Sequence, residues 1–191
     1  MKKYIGIQLN KEYFVSAFPR DYNVKYDVKT YNHSDDEIQG FVKSLSNNFT
    51  CVLENQGIYS AIIANYIYKA GFESCIVHPV QIERYALTKF FKEDYDSVII
   101  SKYGEEFNPS LYKPTPEFMQ QIGKSWDVLR LLLHTRIGKR KKLHALENSY
   151  RAEKPETDRL RKSLQEDEKK IFKMEEELNG VVNKFINPYS L

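Results

Sequence analysis

Phe49-Thr50-Cys51-Val52-Leu53-Glu54-Asn55-Gln56-Gly57 is the stretch that decides how this chain folds. Phe49 to Leu53 runs apolar without polar alternation, as a central strand covered on both faces requires. The run stops at a carboxylate and a turn, after which Ile58 to Ala70, rich in apolar and aromatic residues, reads as a helix closed at Gly71. Downstream, Cys75-Ile76-Val77 is a second apolar strand ending at His78-Pro79, with Pro79 suited to the first turn of another helix. Upstream, Ser34 and Glu37 form a capping-box pattern before Ile38, Phe41, Val42 and Leu45, which share one helical stripe. Further upstream, Tyr4 to Leu9, Tyr13 to Phe18 and Val24 to Tyr31 are β-rich runs. The turns Asn10-Lys11 and Pro19-Arg20-Asp21 between them predict an antiparallel meander.

The resulting order, β-β-β-α-β-α-β-α, predicts an α/β fold. A meander extended by right-handed crossovers is the ribonuclease-H-like arrangement, a mixed sheet with flanking helices, although order alone also fits other α/β folds. Composition changes after Gly104, where Pro109, Pro114 and Pro116 mark a linker. Beyond it Phe118, Ile122, Trp126, Leu129 and Leu133 form one face of a long helix, and Pro155 interrupts the helical pattern. Leu160, Leu164, Asp167, Ile171, Met174, Leu178, Val181 and Phe185 then follow the four-three spacing of a heptad seam, broken only by Asp167. Together these helices predict an all-α hairpin of about 40 Å at the helical rise per residue. Its seam is filled either by the preceding helix or by another copy. The predicted division is an α/β domain over 1–107, a linker over 108–116 and a helical hairpin and coiled-coil region over 117–191.

With 41% hydrophobic residues in 191, the chain can bury a globular core and carry an extension, which argues against disorder throughout. The net charge of +3 is too small to imply nucleic acid by itself, so the placement of Lys and Arg decides that question. Cys51 and Cys75 lie in apolar runs and read as buried thiols in a reducing compartment rather than a disulfide framework. No apolar run approaches the ~20 residues that cross a bilayer. The expectation is a cytoplasmic protein with no membrane partner.

Ligands of α/β sheets bind at the carboxyl ends of central strands, which singles out Glu54. Glu93 and Asp96, three residues apart in a helical stretch, share a face. Gln8 sits in the first strand between Ile7 and Leu9, either satisfied in the core or directed into a site. Acidic pairs on exposed helices and loop glutamates are common, and each of these residues has that simpler reading. Converging carboxylates repel one another unless a cation lies between them, and Mg²⁺ is the hard ion that oxygen ligands suit. Two such ions about 3.5–4 Å apart would clamp the oxygens of a phosphodiester.

At these residues the sequence resembles the DEDD-type insertion-sequence transposases, the group that includes the pilin-gene invertase Piv. Tyr4-Ile5-Gly6-Ile7-Gln8-Leu9-Asn10-Lys11 looks like their opening strand, and Leu53-Glu54-Asn55-Gln56-Gly57-Ile58-Tyr59-Ser60 like their second acidic motif, with Gln56 where they carry threonine. His78-Pro79-Val80-Gln81-Ile82 is similar to their Asn-Pro-x-Gln-Ile segment. Glu93-Asp94-Tyr95-Asp96-Ser97, then Tyr103-Gly104-Glu105, resembles their last acidic helix, and Tyr112-Lys113-Pro114 and the coiled coil follow in the same order. The resemblance implies a RuvC-like domain binding two Mg²⁺, a coiled coil that makes a homodimer, and DNA recombination at the nucleoid guided by a structured RNA. The implied catalytic and metal-binding acids fall on Glu54, Glu93 and Asp96, with Gln8 at the first position. Gln8 replaces an aspartate by a neutral amide and so removes the implied bridging ligand. If this costs about 4 kcal/mol of transition-state stabilisation, the rate falls about a thousandfold. The family continues into a domain with a serine nucleophile, whereas this sequence stops at Asn187-Pro188-Tyr189-Ser190-Leu191, so complete transposition is not expected of it.

Arg136, Lys139, Arg140, Lys141 and Lys142 crowd one helical segment and suit DNA or RNA phosphates. The simpler reading pairs them with the acids of 166–177, namely Glu166, Asp167, Glu168 and Glu175 to Glu177. His78 lacks a partner at ligand spacing and reads as a strand-end hydrogen-bonder rather than a metal ligand. Two functions stay open: a transposase-like protein with an altered metal site, and a non-enzymatic interaction protein using its coiled coil for assembly.

Overall fold

The computed structural model describes residues 3–20, 25–89, 96–148 and 154–186. It is an α/β structure of five strands and six helices among those residues, in the order β1 (Lys3–Leu9), β2 (Tyr13–Pro19), β3 (Tyr26–Asn32), α1 (Asp35–Lys43), β4 (Phe49–Glu54), α2 (Ile58–Lys69), β5 (Glu73–Val77), α3 (Pro79–Lys89), α4 (Asp96–Phe107), α5 (Pro116–Glu147) and α6 (Lys154–Ile186). The strands form one mixed sheet ordered β3-β2-β1-β4-β5. β1, β2 and β3 pair antiparallel as the predicted meander, and β4 and β5 extend the sheet parallel to β1.

Both faces of the sheet are covered, as the uninterrupted apolar run of β4 requires. Ile5, Ile7, Leu9, Cys51 and Leu53 point to the face covered by α1 and α2, and that cluster continues into Tyr112, Phe118, Ile122, Trp126 and Leu129 and into Ile171, Leu178 and Val182 of α6. Tyr4 and Val52 point to the opposite face with Tyr85, Ile100 and Tyr103 of α3 and α4. α4 lies unusually close to β1, with Ser101 Oγ donating to the Tyr4 carbonyl at 2.6 Å. Gly6 permits this approach, since a Cβ there would lie 1.9 Å from the Ser97 carbonyl oxygen.

Local signals explain the helix starts. The Ser34 hydroxyl accepts from the Glu37 N–H, capping α1, and Thr115 caps α5 by accepting from the Phe118 N–H at 3.2 Å. Asp35, in the first turn of α1, is bound by Arg130 of α5 and by the Tyr66 hydroxyl of α2 at 2.7 Å. Although its partial burial disfavours the charge, those two partners hold its carboxyl below the usual range. Pro155 begins α6 rather than breaking it, a position where its missing N–H has no intrahelical partner to lose.

α5 and α6 pack against each other, with Lys139 facing Asp167 and Lys142 facing Glu156. Leu164, Ile171 and Leu178 are buried, whereas the seam positions Met174 and Val181 are only partly covered and their neighbours Glu175 and Val182 are buried instead. A straight helix at 3.6 residues per turn drifts from a strict seven-residue repeat, which moves burial one residue onward. Asp167, the polar break in the seam, is buried and accepts from Lys139 Nζ at 2.6 Å. Buried ion pairs fix register more surely than they add stability.

Candidate functional site

The register of β1 against β4 pairs Ile7 with Leu53, which sets Gln8 and Glu54 side by side at the next position. Both lie on the face shared with Tyr4, Gly6 and Val52, where α4 packs. Asp96 is the first residue of α4, and Gln8 Nε2 donates to its Oδ2 at 2.6 Å. Gln8, Glu54 and Asp96, from three elements up to 88 residues apart, thus meet at the carboxyl edge of the parallel strands. Glu93 lies outside the described residues.

Burial holds the Glu54 carboxyl above the ordinary glutamate value. The negative charges of Asp96 and Glu83 add to this, and a hydrogen bond from Gln56 opposes it. Glu83 is an acid that motif reading missed; it is exposed on α3, and only the fold brings it near Glu54. A raised folded-state pKa means that the native chain binds this proton more tightly than the unfolded chain, so stability falls as pH rises through that value. Glu54→Gln is therefore expected to raise the melting temperature at pH 7, with the gain vanishing in acid below the ordinary glutamate range. Thermal melts across pH check this, and an unchanged or lowered melting point at pH 7 would contradict it.

The donor set suits one hard divalent cation. Glu54 and Asp96 would hold it, since a cation would offset both the burial that raises the Glu54 pKa and the smaller repulsion from Asp96 and Glu83. The set does not suit a two-ion clamp, because Gln8 supplies an amide, already donating to Asp96, where a bridging carboxylate is needed. Among the described residues no three His, Cys, Asp or Glu side chains gather at ligand spacing.

The turn after Glu54 is built tightly. Asn55 Oδ1 accepts from the Gly57 N–H at 3.0 Å, and Ser60 Oγ accepts from the Gln56 N–H and donates to the Glu54 carbonyl at 2.9 Å. Gly57 has a φ of 62°, open to glycine at no steric cost. From α6, Asn179 Oδ1 accepts from the Ile58 N–H at 3.0 Å and Asn183 Oδ1 accepts from Asn55 Nδ2 at 3.2 Å. Beside this turn a cleft of about 600 Å³ opens, lined by Asn10, Lys11, Gln56, His78 and Glu175 among others; Gln8, Glu54 and Asp96 do not line it. His78, between β5 and α3, accepts from the Val80 N–H in the first turn of α3 through Nδ1 at 3.3 Å.

Of the five clustered cations on α5, three are engaged by α6. Lys139 pairs with Asp167, Arg140 with Glu168 at 2.5 Å and Lys142 with Glu156 at 3.2 Å. Arg136 and Lys141 form no ion pair among the described residues. No helix there is long and apolar enough to cross a membrane. In comparisons with known proteins, the chain matches no family model and no curated protein.

Proposed function

We propose that this chain is a transposase-like, DNA- and RNA-binding protein built on a ribonuclease-H-like, RuvC-like domain with a helical hairpin, and that its metal site is altered by Gln8. One observation carries the reading: Gln8, Glu54 and Asp96 converge at one edge of a β3-β2-β1-β4-β5 sheet. That strand order, with the first three strands antiparallel and the last two parallel to β1, supports the fold assignment. The chemistry is metal-assisted phosphodiester cleavage. A bound Mg²⁺ would polarise the phosphoryl oxygen. Glu54 and Asp96 would hold it, and Gln8 orients Asp96 through its amide. With a neutral residue at the bridging position, cutting is slow and binding is the main activity.

Arg136 and Lys141 offer unpaired charge to phosphates, and Lys139, Arg140 and Lys142 add theirs when α6 yields. The exposed apolar side chains Val128, Leu131 and Phe172 on α5 and α6 support pairing of two copies through this region. One observation favours the non-enzymatic alternative, an assembly protein: three of the five cations are already satisfied by α6 carboxylates. Fluorescence anisotropy of labelled single strands, duplexes and hairpin RNA over a KCl series separates the two. The proposal expects affinity that falls with salt and rises with Mn²⁺ in the wild type but not in Glu54→Ala. Absence of binding to every nucleic acid at low salt would leave the assembly protein.

A further inference from the structure

Glu175, Asn179 and Asn183 recur at every fourth position of α6, on one stripe of the helix, and that stripe faces the turn after Glu54. Asn183 Oδ1 accepts from Asn55 Nδ2, and Asn179 Oδ1 accepts from the Ile58 N–H. Glu175 is buried; its carboxylate accepts from the Tyr59 hydroxyl in the first turn of α2 at 2.7 Å and from Lys11 Nζ in the turn between β1 and β2. α6 therefore grips the segment from Asn55 to Tyr59 at both ends.

The contact with Ile58 supplies a cap that the local sequence cannot. The first N–H groups of a helix have no intrahelical acceptor, and the residue before α2 is Gly57, which has no side chain to offer one. Asn179 offers it from 121 residues away. The approach is so close that a Cβ at Gly57 would lie 1.8 Å from Asn179 Oδ1. Apolar packing of Ile171, Leu178 and Val182 already attaches α6 to the core, but such packing is non-directional, whereas hydrogen bonds fix the distance and angle between two elements. The turn held in this way carries Glu54 with it. Ser60 Oγ donates to the Glu54 carbonyl, and the Gln56 side chain hydrogen-bonds the Glu54 carboxylate.

We propose that Asn179 and Asn183 are positioning residues for the Glu54–Asp96 cation site, so that α6 and the site move together. The inference rests on the cation reading above. A metal ligand binds well only when the groups behind it hold it in place, and here those groups are tied to α6. Withdrawing α6 leaves Asn55 and Ile58 without these two acceptors and frees Glu54 to swing on its turn. Binding on the helical hairpin that shifts α6 thus reaches the carboxylate edge, and by reciprocity a bound cation favours the docked α6.

Because the Ile58 amide donates to Asn179, its hydrogen exchange, followed by NMR in the full chain, reports on this grip without any metal. Asn179→Ala is expected to speed that exchange at least about fivefold, as loss of a helix cap does. In calorimetric titrations, Mn²⁺ affinity should fall about tenfold in Asn179→Ala and in Asn183→Ala, the scale on which removing a group behind a metal ligand acts. Alanine is the best helix former, so neither substitution weakens α6 itself. Asn179→Asp keeps the accepting oxygen and adds a negative charge at the start of α2, and it should restore both exchange and affinity. Lys162→Gln on the exposed face of α6 should change neither. Wild-type exchange at Ile58 in Asn179→Ala would overturn the grip. Faster exchange with unaltered Mn²⁺ affinity would overturn the positioning role and leave the cation site standing. Absence of Mn²⁺ binding by the wild type would overturn the cation reading and this inference with it.

Discussion

Gly6→Ala is expected to cost about 3 kcal/mol or more, at or above the upper end of ordinary overpacking. A Cβ at Gly6 would lie 1.9 Å from the Ser97 carbonyl oxygen and 2.4 Å from the Ser101 nitrogen, both backbone atoms of α4. No side chain can swing aside to relieve this, so α4 as a whole must lift from β1. Lifting it breaks the hydrogen bond from Ser101 Oγ to the Tyr4 carbonyl and opens the apolar cluster around Ile100 and Tyr103. At about 2–4 °C per kcal/mol for a chain of this size, the melting temperature should fall by roughly 6–12 °C. Differential scanning calorimetry measures it, and an unchanged melting temperature would mean that α4 does not pack on β1 as described. Because α4 begins at Asp96, the substitution should also loosen the carboxylate edge.

Gln8→Asp is expected to have the largest effect on chemistry, in the direction of gain. The substitution removes the amide that donates to Asp96 Oδ2 and places a third carboxylate beside Glu54. Without a cation, three converging negative charges repel, and the variant should be less stable than the wild type in chelator. With Mg²⁺ or Mn²⁺ the repulsion becomes ligation. If the missing charge is worth about 4 kcal/mol in the transition state, the rate of strand cleavage should rise about a thousandfold. Cleavage of a labelled oligonucleotide in Mn²⁺ gives the rate, and equal rates in variant and wild type would show that Gln8 is not what limits the site.

Local signals made much of the fold legible. The Ser34 cap, the apolar run of β4 and the turns of the meander each depend on neighbours in sequence, and the strands and helices they predict are present. Glu54 was legible as a strand-end residue, Gln8 as a polar residue within the first strand and Asp96 as one of an acidic pair in a helical stretch. Their meeting depends on the parallel register of β1 with β4, which a linear pattern specifies only through the crossover rule. Other features rest on contacts that spacing cannot encode. Asn179 caps Ile58 across 121 residues, and Glu83 reaches Glu54 only because α3 returns along the sheet. Asp167 broke the heptad in sequence, and its reason was invisible until Lys139 was placed opposite. Pairing of the basic cluster with the acids of 166–177 was open in the sequence, and the fold realises it for Lys139 with Asp167 and Arg140 with Glu168, while Lys142 finds Glu156 outside that stretch. Glu93 and the first residues of its helical stretch lie outside the described residues.

The central claim is that Glu54 and Asp96 form a cation site that Gln8 weakens. Calorimetric titration of Mn²⁺ into the wild type, Glu54→Ala and Gln8→Asp tests it most directly. The expected result is weak, single-ion binding by the wild type, none by Glu54→Ala and markedly tighter binding by Gln8→Asp. Heats that are absent in all three, or identical in the wild type and Glu54→Ala, would contradict it.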